Sequence, residues 1–169
     1  YSPLHPNDHV NQSQSTNDVF PTAMRLALLE VSSELVRELE LLSEAFAKKA
    51  AAWRDIPKAA RTHLQDAVPM RLGQEIGAYA ATLARCAGWI GDSRGGLRQL
   101  GIGGSAAGTG LNVPKGYGPA ITRELSKYYG EKLSQAPDLC EAMQSQAPVM
   151  HYSCMLRLSA LELTRVCND

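Results

Sequence analysis

The stretch "FPTAMRLALLEVSSELVRELELLSEAFAKKAAAW", Phe20 to Trp53, decides the fold. Its apolar positions Met24, Leu28, Val31, Leu35, Leu39, Leu42, Phe46, Ala50 and Trp53 step by three or four residues, the repeat of an α-helix and not of a strand. The spacing predicts one helix of unusual length. Asn17 or Asp18 is expected to cap its start, Pro21 falls in the first turn where a missing N–H costs nothing, and Asp55 and Pro57 mark its end. A second set of apolar residues, Leu26, Leu29, Val36 and Leu41, lies off the main stripe. A helix apolar on more than one side has to be covered on more than one side.

Outward from this helix, the same period recurs. Leu72, Ile76, Tyr79, Leu83, Ala87, Ile90 and Leu97 define a second long helix. Gly77, Gly88, Gly91 and the Gly95-Gly96 pair weaken it by up to ~1 kcal/mol each, which points to close packing or a bend. A shorter helix is predicted over Tyr117 to Tyr129, and another runs from Ala147 through Tyr152, Leu156, Ala160, Leu163 and Val166. No segment shows strand alternation. The reading is an all-α bundle of long helices in one domain, 1–169, and the wide apolar faces suggest a bundle shared between subunits.

Composition narrows the function. The 169 residues carry 17 basic and 17 acidic side chains with no run of either, so neither a nucleic acid nor an anionic membrane surface is an expected partner. No stretch of 18 apolar residues is present and no signal peptide is seen. The four cysteines are dispersed without a CxxC pair, and three lie in apolar-periodic stretches, as expected of reduced, buried thiols in a cytoplasmic protein. The chain opens at Tyr1 without a methionine and stops at Asp169 without a helix-stop signal, the pattern of a segment cut from a longer protein.

Three polar, helix-breaking segments remain: His5 to Asp18, Arg61 to Pro69 and Gly101 to Pro114. Such connections gather at the ends of a bundle. In "QSTND" the neutral donors Ser15, Thr16 and Asn17 stand beside a helix N-terminus, whose free N–H groups and dipole already favour an anion. Capping needs one such residue, so three in succession suggest a carboxylate or phosphate site. "RTH" adds Thr62 as a hydroxyl donor and His63 as the side chain that titrates nearest neutrality. His5 and His9 are spaced i, i+4, but Pro6 disfavours a helix and no third ligand is evident, so no metal is expected. "GIGGSA" fits a loose nucleotide fingerprint, yet it follows a helical stretch and is rejected.

Taken together and in order, "HPNDHVNQSQSTNDVFPTA", "RTHLQDAVPMRLGQE" and "GTGLN" resemble the fumarase/aspartase superfamily over nearly the whole chain. Thr16 in "QSTND" and Leu64 with Val68 in "RTHLQDAVP" look more like aspartate ammonia-lyases, since fumarases more often carry a second Ser and "RTHTQDATP". The resemblance implies the central helical domain of a homotetrameric lyase that needs no cofactor, with active sites built from several chains. By position, Ser15, Thr16 and Asn17 would bind a small dicarboxylate, Thr62 and His63 would reach the same pocket from a neighbouring subunit, and His63 is the catalytic candidate within this chain. His5, Asn7 and Asp8 match a second, non-catalytic carboxylate site. The implied reaction is the reversible deamination of L-aspartate to fumarate and ammonia; the alternatives are a class II fumarate hydratase or a helical scaffold module without chemistry. The family's serine loop of the type GSSxMPxKxNP and its SGT-type segment do not occur within these 169 residues, so this stretch alone is expected to be inactive.

Overall fold

The computed structural model describes residues 2–169. A short π-type helical turn, Pro6–Val10, precedes the long helix α1, Thr16–Ala52. Strands β1, Pro57–Thr62, and β2, Gln65–Arg71, lead into α2, Leu72–Leu97. Beyond it lie the two-residue strand β3, Gln99–Leu100, then α3, Tyr117–Tyr129, and the equally short β4, Ser134–Gln135. The short helix α4, Leu139–Gln144, and α5, Ala147–Asn168, complete the order. The fold class is all-α, a long-helix bundle with two minor strand pairs.

The periodic stretches form the helices expected of them. Pro6–Val10 is helical although Pro6 was expected to disfavour a helix, because proline at the first helical position gives up only an N–H that has no partner there, and β3 pairs with β4 over two residues, too few to alternate. Two further elements depart from the sequence reading. Residues 57–71 are an antiparallel hairpin with Thr62 paired to Gln65 and Pro57 to Arg71, with a register shift between Ala59 and Arg61. No strand was expected there because this hairpin has no buried face: nearly every residue from Pro57 to Arg71 is exposed, so selection for inward apolar side chains leaves no alternation. The second departure is α4, whose six residues are too few to show a helical period. Asp138 starts it by accepting the N–H of Glu141 at 3.0 Å.

Compact packing divides the chain into two units. The first comprises the residues up to Val31 together with Ser93–Tyr152. Its buried apolar side chains include Leu26, Leu29, Leu97, Leu100, Ile102 and Tyr152. Inside it Glu131 is clamped by two arginines, Arg94 Nη2 at 2.5 Å and Arg98 Nε at 3.0 Å. Arg25 is buried and donates through Nη1 to the carbonyl of Gln99; burial holds its guanidinium below the ordinary arginine value, and the charge of Glu141 opposes that shift.

The second unit comprises Ser32–Asp92 and Ser153–Asp169. Leu39, Tyr79, Leu83, Cys86 and Ile90 lie in its core, and Lys58 at the base of the hairpin pairs with Glu75 at 2.5 Å. The Tyr79 hydroxyl donates to Asp169 Oδ2 at 2.5 Å, and its ring meets Phe46 edge-on. Burial first, then the hydrogen bond to Asp169, pushes the phenol up to about 12. The unfolded chain would lose this proton near the ordinary value of ~10. Between about pH 10 and about pH 12 the folded state therefore holds the proton that the unfolded state has lost, and stability falls as pH rises through that window. Replacing Tyr79 with Phe should flatten this alkaline decline, read as thermal midpoint against pH.

The burial of α1 also differs from expectation. Its buried positions before the midpoint are Asp18, Thr22, Arg25, Leu26, Leu29 and Ser32, a helical stripe that is mostly polar. Phe20, Val31, Leu35, Leu41 and Leu42 are exposed. Of the expected main stripe only Leu39 is buried; Val31, Leu35 and Leu42 are exposed, and Met24, Leu28, Phe46, Ala50 and Trp53 are half-buried. Of the α2 glycines, for which the sequence suggests close packing or a bend, Gly88, Gly91 and Gly95 have nothing within 4 Å of where a Cβ would stand; Gly77 is in ordinary contact, 3.7 Å from Ala50 Cβ, and Gly96 is tight, 3.1 Å from Pro148 Cβ. All four cysteines are free thiols, but only Cys86 is buried; Cys140, Cys154 and Cys167 are exposed.

Candidate active site

The N-terminus of α1 is built by reciprocal capping. Ser15 is the cap, in place of the expected Asn17 or Asp18: its hydroxyl accepts the N–H of Asn17 at 3.2 Å, and its carbonyl accepts that of Val19 at 3.0 Å. Asp18, three residues on, reaches back and accepts the N–H of Ser15 at 2.9 Å through Oδ1. This is a capping box, with Asp in the place usually taken by Glu or Gln. It satisfies two backbone donors that a helix start would otherwise leave open.

The same carboxylate has a second task. Asp18 Oδ2 accepts the N–H groups of Gly103 at 3.1 Å and Ser105 at 3.0 Å, and Asp18 is 1% exposed. The loop so held runs between β3 and α3, so "GIGGSA" follows a strand of two residues and not a helix directly. No helix opens until Tyr117, and a phosphate cradle of the usual strand-loop-helix form is absent among the described residues. Asn17 Nδ2 donates to the carbonyl of Ala106 at 2.8 Å, and Ser13 Oγ to that of Asn112 at 3.5 Å.

Gly108 lies in the "GTGLN" stretch with φ +91°, and a Cβ there would stand 2.5 Å from Cys140 Cα and 2.6 Å from Cys140 N. Gly108→Ala is expected to cost about 1–3 kcal/mol for the left-handed backbone and a similar amount for crowding an unyielding neighbour. Gly116, at φ +84° with nothing within 4 Å, isolates the first contribution. Gly108→Ala should therefore lower the thermal midpoint clearly further than Gly116→Ala.

A cleft of about 610 Å3 opens over the start of α1, lined by Gln14, Ser15, Thr16, Val19 and Phe20 among others. Thr16 is exposed, and its hydroxyl has no hydrogen-bond partner among the described residues. Ser15 and Asn17 carry structural bonds as well, although each retains further hydrogen-bonding capacity. Nearby, burial pushes the Tyr117 phenol above its ordinary value; a hydrogen bond with Gln14 opposes the shift and the charge of Asp18 adds to it.

Thr62 and His63 belong to the other compact unit. Thr62 ends β1, and His63 and Leu64 form the two-residue turn of the hairpin, with φ +51° and +60°. Positive φ at both turn positions is the backbone that matches hairpin twist. Asn and Gly usually fill it, so "HL" carries no sequence signal for a turn. Leu64 is 99% exposed and His63 is exposed beside it. A non-glycine pair held in this region costs on the order of 1–3 kcal/mol per residue, and such strain clusters at functional sites.

His5, Asn7 and Asp8 come together on the first helical turn. His5 Nδ1 accepts the N–H groups of Asn7 at 3.3 Å and Asp8 at 3.2 Å, and the Asp8 carboxylate lies 3.2 Å from the same nitrogen. Asn7 Oδ1 accepts from Asn11 Nδ2 at 3.2 Å. No group of three or more potential metal ligands occurs among the described residues, and none of the described helices is long and apolar enough to cross a membrane.

Comparison with known proteins places this helical fold among the lyases. Residues 2–169 match the family described as lyase, and the chain belongs to that family, within the fumarase/aspartase superfamily. It is 43% identical to an aspartate ammonia-lyase of Helicobacter pylori over 169 residues, and 44% identical to a class II fumarate hydratase of Prochlorococcus marinus over 170. The crystal structure of a fumarate lyase:delta crystallin from Brucella melitensis bound to cobalt superposes over the whole chain with TM-score 0.95 at 40% identity. The chain spans 36% of the length of each of the first two relatives and 37% of the third.

The sequence reading missed Asp18 as the link between helix and loop. The S-x-x-D spacing was available as a capping-box signal, but the bonds to Gly103 and Ser105, more than 80 residues away, were not.

Proposed function

We propose that the chain is the central segment of an aspartate ammonia-lyase-like C–N lyase, which converts L-aspartate reversibly to fumarate and ammonia. The supporting observation is the row of neutral donors at the head of α1, where Thr16 lines a cleft and its hydroxyl has no hydrogen-bond partner among the described residues. Removing a proton from the carbon beside a carboxylate places a second negative charge on that carboxylate, giving an enediolate. Preorganised hydroxyl and amide donors stabilise this charge as it develops. Collapse of the enediolate then breaks the C–N bond at the adjacent carbon and releases ammonia. Ser15, Thr16 and Asn17 fit the role of carboxylate ligands. Thr62 and His63, at the tip of a strained, exposed hairpin, fit delivery into the site of another subunit, and His5, Asn7 and Asp8 a second carboxylate site.

The similar identity to a fumarate hydratase favours a second reading, addition of water to fumarate. The complete protein incubated with fumarate and either ammonium or water alone separates the two: aspartate is the expected product, and formation of malate only would establish the second reading.

The exposed apolar residues Phe20, Val31, Leu35, Leu41 and Leu42 of α1 support assembly into a homo-oligomer, by the family resemblance a tetramer. Sedimentation is expected to show self-association of the chain across the micromolar range. A well-folded monomer throughout would defeat this part of the reading.

A further inference from the structure

We propose that Asp18 is a positioning residue for the donor row: one carboxylate oxygen closes the turn carrying Ser15, Thr16 and Asn17, and the other fastens the loop that orients the Asn17 amide. This rests on the reading of Ser15, Thr16 and Asn17 as substrate ligands.

The geometry is a chain of three links. Oδ1 of Asp18 accepts the Ser15 N–H at 2.9 Å and so sets the backbone of the donor row. Oδ2 accepts Gly103 N–H at 3.1 Å and Ser105 N–H at 3.0 Å, which sets the loop. The residue after Ser105, Ala106, presents the carbonyl to which Asn17 Nδ2 donates at 2.8 Å. One amide proton of Asn17 is thereby committed to the loop, and this fixes which way its carbonyl oxygen and remaining proton point. Asp18 is 1% exposed, so water cannot replace a lost link.

The chemistry of the side chain is specific. Three N–H donors converge on two oxygens, and only an ionised carboxylate offers acceptors on both sides. Asparagine has the same shape but turns an NH2 toward either the Ser15 N–H or the loop, donor facing donor. The Asp18→Asn protein therefore keeps the packing and loses one of the two attachments. Small displacements of a binding group can cost ~100-fold in turnover.

The test is a double-mutant cycle in the complete lyase, followed as kcat/KM with the nucleophile that the unmutated protein uses, together with thermal midpoints of every variant. Asp18→Asn alone should lower kcat/KM by ~10- to 100-fold. In an Asn17→Ala background the same change should cost at least ~3-fold less, because the part of the effect that passes through the Asn17 amide is gone while the part through the Ser15 turn remains. Equal fold-losses in both backgrounds, or no loss in either, would overturn the proposal while leaving the donor row intact. If Asn17→Ala by itself leaves kcat/KM unchanged, the reading of Asn17 as a ligand fails, and the proposal with it. Asp18→Glu, which retains both oxygens and the charge, provides a second variant should Asp18→Asn fail to fold; it is expected to recover part of the activity. If neither variant folds, Asp18 is a determinant of folding only, and the proposal falls.

Discussion

Thr16→Val in the complete lyase is expected to lower kcat by ~10- to 1000-fold with little change in stability, the range that follows removal of one oxyanion-type donor. The substitution suits the purpose. Valine has nearly the shape of threonine and is similarly β-branched, so the first turn of α1 should form as before. The Thr16 hydroxyl makes no hydrogen bond within the chain among the described residues, so its loss leaves no buried partner unsatisfied. What is removed is the capacity to donate into the cleft. If that donor acts mainly on the enediolate, kcat and kcat/KM fall together; if it binds substrate and transition state equally, KM rises and kcat is unchanged. Steady-state kinetics distinguish these two results, and the second would contradict the transition-state role. Ser15→Ala is a less clean probe, since the Ser15 hydroxyl also holds the N–H of Asn17.

The second large effect is the absence of turnover in the 169-residue chain by itself, even when folded and associated. Association could bring the head of α1 in one copy near Thr62 and His63 of another, leaving a polar pocket able to hold a dicarboxylate weakly. Proton abstraction needs more. A general base must lie within about 3 Å of the proton it takes. The family resemblance gives that position to the GSSxMPxKxNP loop, which does not occur in these residues. His63 is the catalytic candidate within this chain, but at an exposed hairpin tip it has no partner among the described residues that would aim it. Loss of a mobile loop also removes the exclusion of water. Purified chain with excess aspartate, followed by fumarate absorbance at about 240 nm, should show no rate above background. Turnover that His63→Ala abolishes would make His63 the base and overturn the expectation.

Much of the scaffold could be read without coordinates. The apolar period from Phe20 to Trp53 is strong because a long helix repeats its signal over many turns. Tyr117 to Tyr129 and the stretch after Ala147 were legible for the same reason. The hairpin of residues 57–71 was not, since neither of its usual marks is present: its strands bury no face, and its turn is His-Leu where Asn-Gly would be expected. Ser15, Thr16 and Asn17 were visible as an excess of neutral donors, though not which of them is the cap.

The sequence by itself determined the long helices, their apolar faces, the family resemblance and the identity of the donor row, because each is a local pattern or an ordered set of local patterns. Only the tertiary structure decided how those donors are held. It placed both oxygens of Asp18 against Ser15 on one side and Gly103 and Ser105 on the other, and it turned the Asn17 amide onto Ala106. It also showed that a mostly polar stripe of α1 from Asp18 to Ser32 is buried, while the more apolar stripe is mostly half-buried, with Val31, Leu35 and Leu42 exposed. Hydrophobic period records that a face is covered, not by what, and a hydrogen bond across more than 80 residues leaves no local trace; both depend on which segments the folded chain brings together.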